Sequence, residues 1–303
     1  MGAGPDISGR AASRSSVEVV SSPRSGPRRR TGMAFDLDHY KHAAAKIDDG
    51  DVDYGGFRDR PLSPAALRCL RYMCDIESHT VCYLRDLLVT PSHADPEVTT
   101  FLTMWAYEEY WHGEVLAKVL DAHDIPTGNA HIAAVRAGLG WRDRWAPIQQ
   151  ALAANLVGVD FVAVHMTWGA VNEWSTHAGY SRLAEREQHP ILSDVLGRIM
   201  RQESRHIAFY ATQARDRLLR SARARRLTRF ALRRFWAPVG SGVMPRAETT
   251  HLIGYLLGGA SGATVVDQID ERIHRLPGLD GLRLVRRAAE EHGVAEVTNG
   301  IAA

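Results

Sequence analysis

The sequence predicts an all-α protein built around four long helices. Runs that alternate apolar and polar residues with the two-residue period of a strand are nearly absent. Residues that mark helix starts are frequent instead. Ser63-Pro64, Asp95-Pro96 and Pro147 each precede a long segment rich in helix-forming residues. Apolar residues make up 45% of the 303 residues and charged residues 24%, which is ordinary for a soluble globular protein.

The helices can be bounded from proline and capping residues alone. Four long helices are expected at about 63–90, 95–123, 147–188 and 191–217. Three further helical stretches are expected at about 222–236, 246–275 and 280–291. These four long segments, followed by shorter ones, indicate a bundle with additional C-terminal helices.

The first 32 residues differ in kind from the rest of the chain. They are rich in Gly, Ser, Pro and Arg and contain no apolar stretch like that of a secretory signal. Such a composition cannot bury enough apolar surface to fold. We therefore predict a disordered leader at 1–32, with Met33 as a candidate native start, and one folded domain at 33–303.

Charge and cysteine content narrow the function classes. The formal net charge is +2, so the molecule as a whole lacks a nucleic-acid signature. Cys69, Cys74 and Cys82 do not have CxxC spacing, and so sparse a set fits a reducing compartment, which predicts a cytoplasmic protein. No run approaches the roughly 18–20 apolar residues of a membrane span, so no membrane partner is expected.

A Glu-x-x-His spacing that occurs twice is typical of metal-binding helices. Residues 108–112 read EEYWH and residues 203–206 read ESRH, so Glu109 and His112 are three apart, as are Glu203 and His206. Residues three apart share one face of a helix. A four-helix bundle that binds two metals takes Glu-x-x-His from two helices and one Glu from each of the others.

The other two helices offer the missing carboxylates. Glu77 lies near the middle of the first helix and is preferred over Asp75. Glu173 on the third helix is preferred over the earlier Asp160, because each metal-bearing residue should lie at a similar depth in the bundle. Glu108 aligns with Gln202 in the second motif and is therefore not assigned as a ligand. Four buried carboxylates would repel one another unless cations neutralise them, and mixed carboxylate and imidazole ligands suit iron or manganese.

At these residues the chain resembles the ferritin-like diiron carboxylate superfamily, most closely the soluble acyl-carrier-protein desaturases. The resemblance rests on YEEYWHG at 107–113, NEWST at 172–176 and QESRH at 202–206, and it covers roughly residues 60–215. It implies a ferritin-like four-helix bundle with additional C-terminal helices. One departure concerns Gln202, where the family commonly has Asp on a route to a metal-bound histidine.

The resemblance also implies an activity and partners. Two Fe ions, with Mn as the alternative at either position, would activate O2 to desaturate a fatty acyl chain on acyl carrier protein. It implies a ferredoxin-like electron donor, a homodimer, and a role for Thr176 beside the oxygen-binding side of the metals. The metal ligands carried over are Glu77, Glu109, His112, Glu173, Glu203 and His206.

Three other interpretations compete with the desaturase interpretation, and the sequence argues against the ribonucleotide reductase one among them. A diiron hydroxylase or an N-oxygenase could act on another small or carrier-bound substrate, although Ile199 stands where N-oxygenases have an additional histidine ligand. Ribonucleotide reductase small subunits have a tyrosine where this chain has Leu116. A non-catalytic iron-binding protein is the third, and it would load iron in bulk within a large cage.

Two features outside the ligand set complete the sequence-based expectations. Trp105, one turn before Glu109, is the aromatic residue expected closest to the metals. Residues 215–234 contain nine arginines and one acidic residue. This composition indicates a solvated helical face, or alternatively a surface where an acidic carrier protein or ferredoxin docks. Nucleic acid is not expected there because no recognised binding module is present.

Overall fold

A computed structural model of the chain describes residues 35–138 and 141–294. The chain divides into two units, Met1–Ala34 and Phe35–Ala303, and the first lies outside the described residues. The predicted leader at 1–32 therefore stays a prediction.

Helices are the only regular secondary structure among the described residues, and no strand occurs there, so the all-α prediction is confirmed. The α-helices are α1 (Leu37–Ala43), α2 (Pro64–Leu87), α3 (Pro96–Asp121), α4 (Asn129–Ala137), α5 (Trp141–Val157), α6 (Phe161–Glu187), α7 (Pro190–Arg220), α8 (Ala222–Phe235), α9 (Arg246–Leu257), α10 (Gly259–His274) and α11 (Leu284–Glu291). Short 3-10 turns occur at Tyr54–Arg58, Pro91–Ala94 and Gly158–Asp160.

The long helices begin where the capping residues indicate. The Ser63 side chain accepts a hydrogen bond from the backbone N–H of Ala66, and Pro64 occupies the first turn of α2. Asp95 does the same for α3, where its carboxylate accepts from the N–H groups of Glu97 and Val98. These caps satisfy backbone donors that the first helical turn leaves unpaired.

Two predicted helices are interrupted by glycines. The segment expected as one helix over 147–188 is broken at Gly158, whose φ of 75° is left-handed, so that α5 and α6 are separate. The segment expected over 246–275 is similarly divided into α9 and α10, where Gly259 has a φ of 78°. The short helices α1 and α4 were not predicted.

Four helices form the bundle, and two apolar clusters lie along it. Helix α2 packs against α3, α6 packs against α7, and α3 also meets α7. Trp105 of α3 and Phe209 of α7 belong to one cluster, and Val115 of α3 and Ile199 of α7 belong to the other. The predicted ligands on both helices lie between the clusters, so the bundle holds a polar layer between two apolar ones.

The C-terminal helices cover the bundle. Helix α8 packs against α6 and α9 packs against α2, while α10 contacts α6 and α11 lies on α10. These helices agree with the predicted addition to a four-helix bundle. Their role at the site is to close one side of a cavity described below.

One helical stretch, Ile148–Glu187, is long and apolar enough to cross a membrane by length and composition. Its second part is α6, which is a core helix of the bundle and carries the buried Glu173. A buried core helix passes the same test as a membrane span, so the stretch is weak evidence for one. Its first part, α5, is different, because Ile148, Leu152 and Leu156 are exposed there.

Candidate metal centre

The structure brings all six predicted ligands together in the interior of the bundle. They form two groups of potential ligand atoms, each group lying within 4.8 Å, and every member is buried. The groups are Glu77, Glu109, His112 and Glu203, and Glu109, Glu173, Glu203 and His206. Because Glu109 and Glu203 belong to both, the arrangement fits two cations bridged by two carboxylates. That these residues bind metal stays a prediction.

The distances place both imidazoles against carboxylates. The Nδ1 atom of His206 is 3.0 Å from Glu109, 3.2 Å from Glu203 and 3.8 Å from Glu173. The Nδ1 atom of His112 is 3.4 Å from Glu203 and 3.8 Å from Glu109. The same ring atom, Nδ1, therefore points into the centre from each histidine.

The other ring nitrogen of each histidine is held by the opposite Glu-x-x-His helix. Nε2 of His112, on α3, lies 2.9 Å from Oε1 of Gln202 on α7, while the Gln202 amide donates to the carbonyl of Ala45 at 2.8 Å. Because the Gln202 oxygen is then the acceptor, His112 Nε2 carries the proton. Nε2 of His206 lies 2.8 Å from a Glu108 oxygen, so each helix orients the histidine of its partner.

Glu108 is thus a supporting residue, fully buried, and not a surface carboxylate. Besides His206 it accepts a hydrogen bond from the Tyr40 hydroxyl at 2.7 Å and forms an ion pair with Arg205. This network agrees with the sequence-based alignment of Glu108 with Gln202. Its two halves differ in charge, because His206 meets a carboxylate and His112 meets a neutral amide.

Unpaired buried atoms show that the site fits cations. With protons on Nε2, the Nδ1 lone pair of His112 faces carboxylate oxygens and has no hydrogen-bond partner among the described residues. One oxygen of Glu109 and one of Glu203 are likewise buried without a hydrogen bond. Buried acceptors that face one another are costly unless a proton or a cation lies between them. Two divalent cations satisfy all of these atoms.

The pKa values of the carboxylates separate in the metal-free cluster. Burial, together with the charge of Glu109, raises the pKa of Glu77 well above its usual range, and burial with the charge of Glu203 does the same for Glu173. Burial also opposes ionisation of Glu109, but hydrogen bonds from Glu77, His112 and His206 lower its pKa to about 2. Protons thus occupy positions that cations would take.

The pKa values of the two histidines are raised, whereas burial ordinarily lowers the pKa of an imidazole. Burial alone would lower the pKa of His112, yet the nearby carboxylates of Glu109 and Glu203 raise it to about 10. The pKa of His206 is also raised against the effect of burial, and its carboxylate neighbours include Glu108. The metal-free centre therefore binds positive charge strongly.

Two aromatic side chains fix the outer ligands. The indole N–H of Trp105 donates to Glu173 at 3.0 Å, which agrees with the expectation that Trp105 approaches the centre. The Tyr180 hydroxyl donates to Glu77 at 2.5 Å. Each terminal carboxylate is thereby oriented before any cation arrives, and ligand orientation of this kind raises metal affinity.

The two carboxylates that were not preferred as ligands, and one buried histidine, lie outside the centre. Asp75 contacts His131 at 2.8 Å, and Asp160 forms a 3.0 Å ion pair with Arg223. His165 contacts the hydroxyl of Ser92 at 2.8 Å. None of these three residues belongs to a potential metal-binding group among the described residues.

An apolar cavity adjoins the centre and contains Thr176 in its wall. Its volume is about 100 Å³, counted as the space open to the centre of a water-sized sphere, and it opens to solvent on one side. Its wall includes the ligand Glu77 with Tyr180 and Thr176, and most of the remaining wall is apolar. The cavity brings apolar space directly to a ligand of one cation, which is the arrangement an apolar substrate needs.

Several contributing residues were not found from the sequence. Tyr40 lies on α1, 68 residues before Glu108, and no local spacing connects them. Tyr180 follows Glu173 by two helical turns on α6, so helical periodicity from Glu173 could have found it. Arg205 lies inside the ESRH motif, and its position directly before His206 is the only sequence feature that connects it with the site.

No family model matches the sequence, and no curated protein matches it. Among solved structures, the chain is similar to a variant of an R2-like ligand-binding oxidase with an aerobically reconstituted Mn/Fe cofactor. The identity is 15% and the TM-score 0.48, over 86% of this chain and 92% of that chain. At that TM-score the likeness says nothing about the reaction, so a functional conclusion must come from the site's own residues.

Proposed function

We propose that the protein is an O2-dependent oxidoreductase that uses two Fe ions, with Mn as an alternative at either position, and acts on an apolar chain. The observation that carries the proposal is the contact between a two-cation ligand cage and an apolar cavity through Glu77. When bound, such metals supply the oxidising power for attack on an unactivated carbon.

The protein's own residues have three tasks in this proposal. Glu77, Glu109, His112, Glu173, Glu203 and His206 hold the cations. The cavity walls bind the substrate and exclude water, since they are mostly apolar. Thr176 offers a hydroxyl in the same wall as Glu77, and we assign it, as the resemblance implies, a role beside the oxygen-binding side of the metals.

Desaturation of a fatty acyl chain on acyl carrier protein is the substrate-level form of the proposal. Its support is the motif resemblance together with the apolar lining of the cavity. It carries with it a ferredoxin-like electron donor, a cytoplasmic location and a homodimer as further expectations. Hydroxylation of the same chain needs the same residues and is distinguished by its product.

The direct test begins with anaerobic loading of ferrous ion, followed by O2, a reductant and acyl-carrier substrates of graded chain length. Mass spectrometry then reads the product: loss of two hydrogens indicates desaturation, and gain of one oxygen indicates hydroxylation. Glu203→Gln should abolish both metal binding and turnover. Glu114→Gln is the matched control, because Glu114 is exposed on α3 and outside the cage.

Three outcomes would contradict parts of the proposal. Wild-type protein that binds no more iron than Glu203→Gln would refute the metal cage. Protein that binds two Fe ions but oxidises no acyl substrate, carrier-bound or free, would refute the substrate class and leave the cage intact. Bulk iron loading in a large assembly would favour the non-catalytic alternative.

A further inference from the structure

Helix α5 exposes a continuous apolar stripe that nothing in the described structure covers. Its exposed residues are Trp145, Ile148, Leu152, Leu156 and Val159. Trp145, Ile148, Leu152 and Leu156 are three or four apart, so they lie along a single face of α5, and Val159 follows in the 3-10 turn after the break at Gly158. Leu156 is 87% exposed and Val159 is 83% exposed, which is extreme for large apolar side chains.

The stripe contains no charge and is extended by neighbouring residues. From Trp145 to Val159 the sequence has no acidic or basic residue. The amide of Asn155 donates to the carbonyl of Val89 at 2.8 Å, which joins α5 to the end of α2. Leu88 and Val89 are exposed there as well. An acidic protein partner would find no ionic contact along this part of the surface.

A basic and aromatic face begins where the stripe ends. Arg223 at the start of α8 forms a 3.0 Å ion pair with Asp160, which directly follows Val159. Beyond it, Arg226, Phe230 and Arg233 are exposed at helical spacing on α8. We call Arg226, Phe230, Arg233, Arg234 and Phe235 the α8 face.

The α8 face offers free positive charge beside protruding rings. Neither Arg226 nor Arg233 has an acidic partner within residues 35–138 and 141–294. Phe230 and Phe235 are each 59% exposed, and their ring centroids are 5.9 Å apart. Exposed aromatic rings among unpaired arginines suit a boundary between apolar chains and anionic groups.

We propose that the α5 stripe and the α8 face together dock the protein on the surface of an anionic lipid bilayer. Apolar side chains of the stripe enter the boundary between headgroups and acyl chains, while the arginines contact anionic headgroups. Symmetric pairing of two copies across both surfaces would place unpaired arginines near one another without compensating charge. The contact is peripheral, because α6 remains inside the bundle. The inference does not depend on the proposed reaction.

The test is co-sedimentation of the full chain with vesicles of phosphatidylglycerol and phosphatidylcholine, compared with vesicles of phosphatidylcholine alone. Wild-type protein should bind the anionic vesicles, and added salt should weaken the binding. The double variants Leu152→Glu/Leu156→Glu and Arg226→Glu/Arg233→Glu should each partition at least about tenfold less.

Matched controls separate docking from folding and from general surface effects. Tyr110→Glu changes an exposed apolar residue of α3, and Arg201→Glu changes an exposed arginine of α7; both should bind vesicles like the wild type. Circular dichroism and Co2+ binding should be the same in all variants, because the substituted side chains are exposed and the six ligands are buried.

Three results would overturn the proposal. The first is wild-type protein that does not sediment with anionic vesicles. The second is a dimer that Leu152→Glu/Leu156→Glu dissociates while vesicle binding is absent, which would make the stripe an interface between copies. The third is binding to a purified acidic carrier protein through the α8 face with no binding to vesicles.

Discussion

Substitution of Glu108 by Gln tests the supporting network most sharply. The native carboxylate accepts hydrogen bonds from His206 at 2.8 Å and Tyr40 at 2.7 Å through one oxygen, and its other oxygen faces Arg205 and the backbone N–H of Ala45. A glutamine has only one acceptor oxygen. Whichever way its amide is turned, the NH2 group must face donors that the carboxylate formerly satisfied.

The size of the effect follows from this geometry. Loss of a carboxylate that orients a metal-binding histidine weakens metal affinity by about 10–100-fold. At about 1.4 kcal/mol per tenfold, this is about 1.4–2.8 kcal/mol of binding free energy. The loss should fall on the group that contains His206, while the group that contains His112 keeps its contact with Gln202. One unsatisfied buried donor should also lower the stability of the metal-free protein by about 1–3 kcal/mol.

Anaerobic calorimetric titration with ferrous ion measures both binding steps. Wild-type protein and the Glu114→Gln control should show two tight sites, and Glu108→Gln should show one tight site and one weakened site. Thermal unfolding of each metal-free variant reports the accompanying change in stability. The reasoning is refuted if Glu108→Gln binds both ions as tightly as the control, or if both steps weaken equally while the fold is intact.

Three further predictions concern the surroundings of the centre. Burial and the charge of Arg217 lower the pKa of His165 from 6.5 to about 3, so between these pH values only the unfolded chain gains this proton. Wild-type protein therefore loses stability as pH falls from 6.5 to 3, and His165→Gln should lose less, by up to about 1.4 kcal/mol per pH unit. Urea unfolding at each pH measures the difference. A Cβ at Gly169 would lie 2.3 Å from the ring of buried Tyr210, so Gly169→Ala should destabilise the fold by about 1–3 kcal/mol. At Gly254 no atom lies within 4 Å of such a Cβ, so Gly254→Ala should stabilise its helix by up to about 1 kcal/mol. Equal melting temperatures of the two variants would contradict this reasoning. Gly179→Leu should fill part of the cavity and lower turnover of long acyl chains more than short ones at unchanged iron content, and a uniform loss across chain lengths would refute the cavity as the substrate site.

The ligand cage could be predicted from the sequence because helical periodicity is a local property. Glu109 with His112, and Glu203 with His206, share a helix face whatever the rest of the chain does. The choice of Glu173 over Asp160 also followed from depth along a helix, and the structure places Asp160 in an ion pair with Arg223.

The interruption at Gly158 could not be predicted, because a glycine inside an apolar segment is compatible with a continuous helix and with a left-handed break. Its neighbours decide between them, and those neighbours belong to other elements: the 3-10 turn at 158–160 contacts α8. The same holds for Tyr40, whose contact with Glu108 depends on how α1 lies across α3. Tertiary packing, which has no local spacing, determines both features.

The cavity has walls drawn from two separate stretches of the chain. Glu77, Thr176 and Tyr180 come from the bundle, whereas Trp236, Leu256 and Ala288 come from the part that follows it. All six cage residues precede residue 207, so the proposed metal centre and about half of the cavity wall come from different parts of the chain. Substitutions in the helices that follow the bundle, from Trp236 onward, can therefore change which molecule the cavity accepts while all six cage residues stay as they are.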